Sequence, residues 1–224
     1  MYYKICRFLK EVQHKVVLHA PLMLKNRNMN NKILIASIPR SGSTYLLRVC
    51  MGINLASDFP KSSFSKFVVT ITRDSFNGSE LFYKTHDFAP DYLPDNVKAL
   101  FLFSNPIDAV LSTLENRFDS TTFILCHCSR KDVNIVDRDD MNYEKMFNTW
   151  TRPNKQYPVL AIRYEKLSEN IKTISDFIGK NIVLPKWKIR KPYQPPPDIE
   201  QRLKNTYSSL IDKIEKFPDI KEIH

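Results

Sequence analysis

The architecture of the chain is most readily predicted from one segment, Lys32-Ile-Leu-Ile-Ala-Ser-Ile-Pro-Arg-Ser-Gly-Ser-Thr-Tyr45. Its first seven residues are largely apolar and include three isoleucines, which is typical of a strand buried on both faces of a sheet. Pro39 to Thr44 form a polar turn, and the apolar residues from Tyr45 to Met51 predict a helix. The stretch therefore predicts a strand, a turn and a helix in succession, the unit from which parallel sheets are built.

The same alternation of strands and helices continues along the chain. Strand patterns occur at 67–72, 81–85, 97–103 and 159–164, and helix patterns at 107–117 and at 168–178 before Gly179. After a basic, Pro-rich stretch, Asp198 is expected to cap a closing helix that reaches Lys216, and Ser120 to Tyr143 to form a loop over the site. We therefore expect an α/β fold with three layers, in which flanking helices cover a central, mainly parallel sheet, as in P-loop NTPases.

Composition limits the class of protein. The 224 residues, of which 42% are hydrophobic and 26% charged, suffice for a folded core, and we predict an amphipathic helix and linker over 1–31 and a single domain over 32–224. No apolar run reaches the roughly 18 residues that a membrane span needs. The four cysteines and the lack of a signal-peptide pattern predict a cytoplasmic protein.

The net charge of +10 attracts polyanions such as nucleic acid, sulfated sugar or nucleotide. Aromatic and basic residues are not interleaved in one stripe, so we do not expect nucleic acid as a partner.

The turn after the first strand has the groups that bind phosphate. Gly42 allows the backbone to approach an anion closely, and the N–H groups of the following helix point toward it. The hydroxyls of Ser43 and Thr44, together with Arg40, complete such a site. The Walker A pattern needs a second Gly and a Lys, which are absent here. From these residues alone, a phosphate site and an ordinary helix cap beside a surface Arg are equally open.

Five segments, in order, resemble sulfotransferases that use 3′-phosphoadenosine 5′-phosphosulfate. The turn is similar to the family's 5′-phosphosulfate loop, and Tyr83-Lys84-Thr85-His86 resembles its Lys-Thr-His segment. Leu102 to Ser112 resembles the family's 3′-phosphate segment, and Val159 to Leu167 resembles the strand and turn whose Tyr lies near the adenine. Lys191 to Lys213 resembles the closing helix. Together they span most of the chain.

The resemblance implies a role for individual residues. His86 would take the proton of an acceptor hydroxyl or amine, while Lys84 and Arg40 would stabilise charge on the departing nucleotide. Asp87 is an alternative base. The acceptor would be a small molecule or a saccharide, and no metal is implied. The donor would be bound by Arg40, Ser41, Gly42, Ser43, Thr44, Tyr45, Ser104, Ser112, Tyr164, Arg190 and Lys191.

Two departures from the family pattern leave alternatives open. Ser104 stands where the 3′-phosphate segment of the family begins with Arg, and Lys186 to Lys191 lacks the Gly residues of the family's C-terminal phosphate segment. A catalytically impaired nucleotide-binding relative is therefore an alternative to an active transferase. A P-loop kinase is a further alternative, against which the missing Walker Lys argues.

Overall fold

The computed structural model describes residues 31–52, 65–115, 132–185 and 194–224. The N-terminal helix predicted within 1–31, and the predicted donor-binding residues Arg190 and Lys191, lie outside this part of the chain. Of the loop predicted at 120–143, residues 120–131 also lie outside it.

The described residues form one six-stranded sheet with the order β2-β3-β1-β4-β5-β6. Its strands are β1 (Lys32–Ser37), β2 (Ser65–Val68), β3 (Phe82–Thr85), β4 (Val97–Phe103), β5 (Val159–Arg163) and β6 (Ile220–Ile223). The pairings among β1 to β5 are parallel, and β6 pairs antiparallel with β5. The mainly parallel α/β sheet expected from the alternation of strands and helices is therefore confirmed.

Helices connect and cover these strands. They are α1 (Ser43–Met51), α2 (Pro106–Leu114), α3 (Tyr143–Thr151), α4 (Ile171–Ile178), α5 (Pro197–Thr206) and α6 (Ser208–Lys216). Helix α2 begins with proline, and the side chain of Asn105 accepts a hydrogen bond from the Ile107 amide, so its start is fixed by two independent devices. Helices α1 and α4 end at Gly52 and Gly179, both in the left-handed conformation that glycine adopts without a Cβ penalty.

Apolar side chains cover both faces of the sheet. Leu34 and Ala36 of β1 point into one cluster, which includes residues of α2, α3, α5 and α6, while Ile33 and Ile35 point into a second cluster with α1 and α4. This alternation along β1 explains why the strand reads as a continuous apolar run: a strand covered on both sides needs apolar residues at every position.

The C-terminal part of the chain differs from the predicted single helix between Asp198 and Lys216. The chain forms α5 and α6 with Tyr207 between them, because the Tyr207 side chain is buried and its hydroxyl donates to the carbonyl of Ile135. Strand β6 follows and was not predicted, since Ile220-Lys-Glu-Ile223 lacks the alternating pattern of a half-buried strand.

Helix α3 was also not predicted, although its sequence carries a signal for it. Tyr143, Met146, Phe147 and Trp150 are buried and lie at positions i, i+3, i+4 and i+7, which is the apolar stripe of a helix. The start is fixed from outside the helix: the carboxylate of Asp139 accepts hydrogen bonds from the amides of Tyr143 and Glu144. The irregular segment therefore ends one residue before Tyr143.

The strand predicted at 67–72 corresponds to β2 in the structure, which begins two residues earlier and already ends at Val68. Its pairing ends where β3 ends, at the Val68–Thr85 pair. Beyond it the Ile71 amide donates to the carboxylate of Asp87 at 2.8 Å, so the backbone leaves the sheet to meet a side chain. A 3₁₀ turn, Arg73–Phe76, follows at once.

Candidate functional site

The carboxyl ends of four parallel strands bring most of the predicted site residues to one edge of the sheet. Ala36 pairs with Thr85, Ser37 with Leu102, and Phe103 with Arg163. The residues that follow β1, β3, β4 and β5 therefore emerge side by side. In open α/β sheets this edge is where ligands bind.

The turn between β1 and α1 has an unusual backbone. Arg40 has φ of 69° and Gly42 has φ of 81°, so two of its residues lie in the left-handed region, and Arg40 does so despite its Cβ. A Cβ on Gly42 would lie 2.0 Å from a ring carbon of Tyr164. The turn thus requires glycine at position 42 for its φ and for the close approach of the tyrosine ring.

Two side-chain hydrogen bonds tie this turn to the segment that follows β4. The hydroxyls of Ser41 and Ser104, both buried, lie 2.7 Å apart. The Nε atom of Arg40 donates to the hydroxyl of Ser112 in α2 at 3.0 Å. Ser104 and Ser112, two of the residues assigned to donor binding, are therefore in contact with the turn that precedes α1.

Lys84 extends from β3 to the first turn of α1. Its Nζ atom donates to the hydroxyl of Thr44 at 3.0 Å and lies 5.5 Å from the centre of the Phe67 ring. Burial, and secondly the positive charge of Arg40, lower the pKa of Lys84 to about 8. Two cations thus approach each other at the head of α1, and no carboxylate meets Lys84 among the residues the structure describes.

His86 contacts the last residue of β1. Its Nδ1 atom lies 2.9 Å from the carbonyl oxygen of Ser37 and 3.1 Å from the Ser37 hydroxyl. Because a carbonyl oxygen can only accept, the hydrogen of a neutral ring is assigned to Nδ1, which leaves Nε2 as the basic nitrogen. The His86 ring is thereby held at the end of β1, where the turn that contains Arg40 begins.

Both carboxylate oxygens of Asp87, the alternative base, accept backbone hydrogen bonds. One of its carboxylate oxygens accepts the Ile71 amide and the other the Phe88 amide, each at 2.8 Å. The bond from Ile71 holds the connections after β2 and β3 together, and the bond from Phe88 fixes the backbone next to Asp87. The arrangement favours His86 over Asp87 as the group that accepts a proton.

Tyr45 and Tyr164 lie beside the turn. Both are partly buried and pack against the apolar cluster that contains α1 and α4. Burial, and secondly the nearby Tyr164 hydroxyl, raise the pKa of Tyr45. Since Tyr164 also packs on Gly42, the two rings flank the first residues of α1.

Three contacts of the site were not predicted. Ser37 orients His86, Phe67 lies under Lys84, and Glu165 accepts the Asn105 amide at 3.1 Å, which joins the ends of β4 and β5. The first two follow only from sheet register, because Phe67 pairs with Lys84 across β2 and β3. The order of strands in a sheet is not readable from one sequence.

Among the described residues, no group of three or more His, Cys, Asp or Glu side chains is arranged to hold a metal ion. In the same part of the chain, no helix is long and apolar enough to cross a bilayer.

Comparisons with known proteins do not assign the chain to a family. No family model matches the chain, and no curated protein matches it. A solved structure of mouse sulfotransferase SULT7A1 complexed with PAP aligns with 84% of this chain and 67% of that chain, with 15% sequence identity and a TM-score of 0.40. An overlap this loose does not carry an assignment of activity.

Proposed function

We propose that the chain is a sulfotransferase that moves a sulfuryl group from 3′-phosphoadenosine 5′-phosphosulfate to a hydroxyl or amine of a small-molecule or saccharide acceptor. The observation that carries the proposal is the placement of Lys84, Arg40 and Thr44 around the turn before α1, with His86 on the adjacent strand end. We further propose a single domain over 32–224 and a cytoplasmic setting.

The turn would hold the terminal anion of the donor. A dianionic phosphosulfate gains from the N–H groups at the head of α1, from the hydroxyls of Ser43 and Thr44, and from the two cations. The depressed pKa of Lys84 supports this role, because a buried ammonium without a carboxylate partner is stabilised by a bound anion. Tyr45 and Tyr164 would flank the base of the nucleotide, and Ser104 and Ser112 its second phosphate.

His86 would act as the general base. Its Nε2 atom takes the proton of the acceptor, whose oxygen or nitrogen forms a bond to sulfur as the bond from sulfur to the phosphate oxygen breaks. The electron pair of the broken bond stays on the phosphate, and Lys84 and Arg40 offset that charge. The bond from Nδ1 to the Ser37 carbonyl keeps the ring oriented throughout.

The contact between Ser41 and Ser104 favours a second candidate, a relative that binds nucleotide but transfers slowly. Where a guanidinium would offer a bidentate fork to phosphate, the chain has two hydroxyls that bond to each other. Such a protein would bind adenosine 3′,5′-bisphosphate weakly and show little or no turnover.

The test is the substitution His86→Ala, with sulfuryl transfer from the radiolabelled donor measured against a panel of phenols, alcohols and sugars. We expect turnover to fall by about 10²–10⁴, the usual scale for loss of a general base, while the affinity for adenosine 3′,5′-bisphosphate stays unchanged. His224→Ala is the matched control, because His224 lies exposed in the C-terminal segment. Wild-type rates in His86→Ala would refute the role, and wild-type protein that binds nucleotide but transfers to no acceptor would favour the second candidate.

A further inference from the structure

A cavity lies between the chain segments that follow β2 and β3, and none of the side chains that surround the turn before α1 lines it. It has a volume of about 490 Å³, within the range of small-molecule sites, and is lined by Ile71, Thr72, Arg73, Pro90, Tyr92 and Pro94. None of these residues takes part in the proposed transfer.

The walls of the cavity are fixed by hydrogen bonds. The Ile71 amide is held by Asp87, and the Thr72 amide donates to the Ser75 hydroxyl at 2.8 Å. On the other wall, the hydroxyl of Tyr157 donates to the Pro90 carbonyl at 2.6 Å. Pro90 and Pro94 further restrict the backbone. The cavity is therefore formed before any ligand enters, which lowers the entropic cost of binding.

One wall presents its side chains in alternation. Pro90, Tyr92 and Pro94 line the cavity, whereas Leu93 between them is 1% exposed and belongs to the core. Tyr92 is 54% exposed, far more than a tyrosine whose ring is needed for packing. An exposed aromatic face between two prolines offers a flat apolar platform at the cavity.

The opposite wall supplies one positive charge. Arg73 is exposed, and within the described part of the chain its guanidinium has no hydrogen bond or ion pair. The neighbouring Thr72 is also exposed, and its hydroxyl lies 3.1 Å from the Ser75 hydroxyl in the capping box of the 3₁₀ turn. A guanidinium binds carboxylate or sulfate in a bidentate manner, so the site is complementary to a ligand with one such group.

We propose that this cavity binds a sugar ring that carries a carboxylate or sulfate, with the ring stacked on Tyr92 and the anion paired with Arg73. A sugar fits better than a planar aromatic acid, because the exposed Thr72 and Arg73 leave the ligand partly hydrated, as sugar hydroxyls require. Binding at this cavity does not require sulfuryl transfer. The proposed site for an anionic saccharide is linked to the residue after His86 by one hydrogen bond, from the Ile71 amide of its wall to Asp87.

The experiment compares methyl β-D-glucuronide, methyl β-D-glucoside and benzoate as ligands of the ¹⁵N-labelled full chain, with chemical-shift titration as the readout. We expect the glucuronide to bind and the other two to bind at least about tenfold more weakly. Arg73→Gln and Tyr92→Ala should each lower the association constant for the glucuronide by about tenfold, the scale of one charge-assisted contact or one stacked ring. Lys172→Gln, which removes an exposed charge on α4, is the control and should change nothing.

Each other outcome overturns the inference. Equal binding of glucoside and glucuronide would remove the role of the anion, and stronger binding of benzoate would remove the sugar. An Arg73→Gln variant with wild-type affinity would place the ligand elsewhere. Binding of adenosine 3′,5′-bisphosphate, measured on the same samples, tests the transfer site separately, so a failure of one proposal is distinguishable from a failure of the other.

Discussion

Two regions of the molecule use positive charge in opposite ways. Between residues 132 and 142, Arg138 pairs with Asp140 at 2.9 Å and with Asp132 at 3.4 Å, and Arg202 of α5 pairs with Asp137 at 2.6 Å. At the head of α1, by contrast, Lys84 meets a hydroxyl, an aromatic ring and the field of another cation.

The difference separates cations that pair with carboxylates within the fold from a cation that has no carboxylate partner among the described residues, which is the feature our proposal uses. In the first region each guanidinium has carboxylates in reach, and the result is a segment tied to α5 and to the start of α3. In the second the ammonium is partly buried without a countercharge, which costs folding free energy. A cost of this kind is characteristic of a binding site, where the ligand supplies the missing charge.

Lys84→Met should therefore have opposite effects on binding and on stability. We expect the affinity for adenosine 3′,5′-bisphosphate to fall about 100-fold, equivalent to about 2.7 kcal/mol, because a charge-assisted hydrogen bond is lost. The free energy of unfolding at neutral pH should rise, since the buried ammonium is removed. Calorimetric titration and urea denaturation measure the two quantities.

The matched control for this change is Lys98→Met. Lys98 is a partly buried lysine of β4, and its Nζ atom donates to the carbonyl of Phe177 at 2.8 Å. Its loss should leave nucleotide affinity unchanged and lower stability slightly. If both variants behaved alike, Lys84 would be an ordinary packed lysine.

Gly42→Ala should have the next largest effect on nucleotide affinity, a loss of about tenfold or more. The alanine must adopt a φ of 81°, and its Cβ must displace the Tyr164 ring. Gly52→Ala isolates the backbone part, because Gly52 also has a positive φ, of 71°, but a Cβ at that position would meet no atom within 4 Å. Stability should fall in both variants and affinity only in the first; equal affinities would show that the turn before α1 does not touch the nucleotide.

Asp139→Asn should leave nucleotide affinity unchanged and change stability in two ways. It should lower stability, because the NH₂ group of asparagine cannot accept one of the two amides that the carboxylate accepts, and it should remove the pH dependence that the carboxylate contributes. Burial raises the pKa of Asp139 to about 6, despite the two amides that its carboxylate accepts, which act in the opposite direction. Because the folded-state pKa exceeds the ordinary value of 3.8, the folded protein binds more protons across that interval. The stabilising contribution is complete below about pH 4 and is lost as the pH rises through about 6.

Urea denaturation across this pH range is the measurement. The wild type should gain stability relative to Asp139→Asn as the pH falls from about 7 to about 4, whereas Asp176→Asn, an exposed change on α4, should follow the wild type. Parallel curves for Asp139→Asn and the wild type would show that the start of α3 does not depend on the ionisation of this carboxylate.

Local pattern predicted the central fold because the inner strands are apolar at successive positions and because polar residues, Gly or Pro mark the turns between the elements. The Val97–Phe103 strand and the end of α4 at Gly179 were predicted correctly. The break at Tyr207 depends on a tertiary hydrogen bond to Ile135, which local pattern does not contain. The start of α3 at Tyr143 was missed although its signals are local, namely an apolar stripe and the Asp139 carboxylate that accepts the Tyr143 amide. The site was predictable to the extent that its residues follow strands; the contact of His86 with Ser37 depends on β3 lying beside β1, which the chain order does not reveal.

Proton uptake on nucleotide binding distinguishes a Lys84 that contacts the bound anion from a lysine that is only packed. Adenosine 3′,5′-bisphosphate is titrated into the wild type and into Lys84→Met near pH 8, in two buffers with different enthalpies of ionisation. If the anion binds beside Lys84, it raises the pKa of that lysine from about 8, and the wild type takes up about half a proton per nucleotide while Lys84→Met takes up none. Absence of binding at millimolar nucleotide, or an uptake that persists in Lys84→Met, would contradict the account.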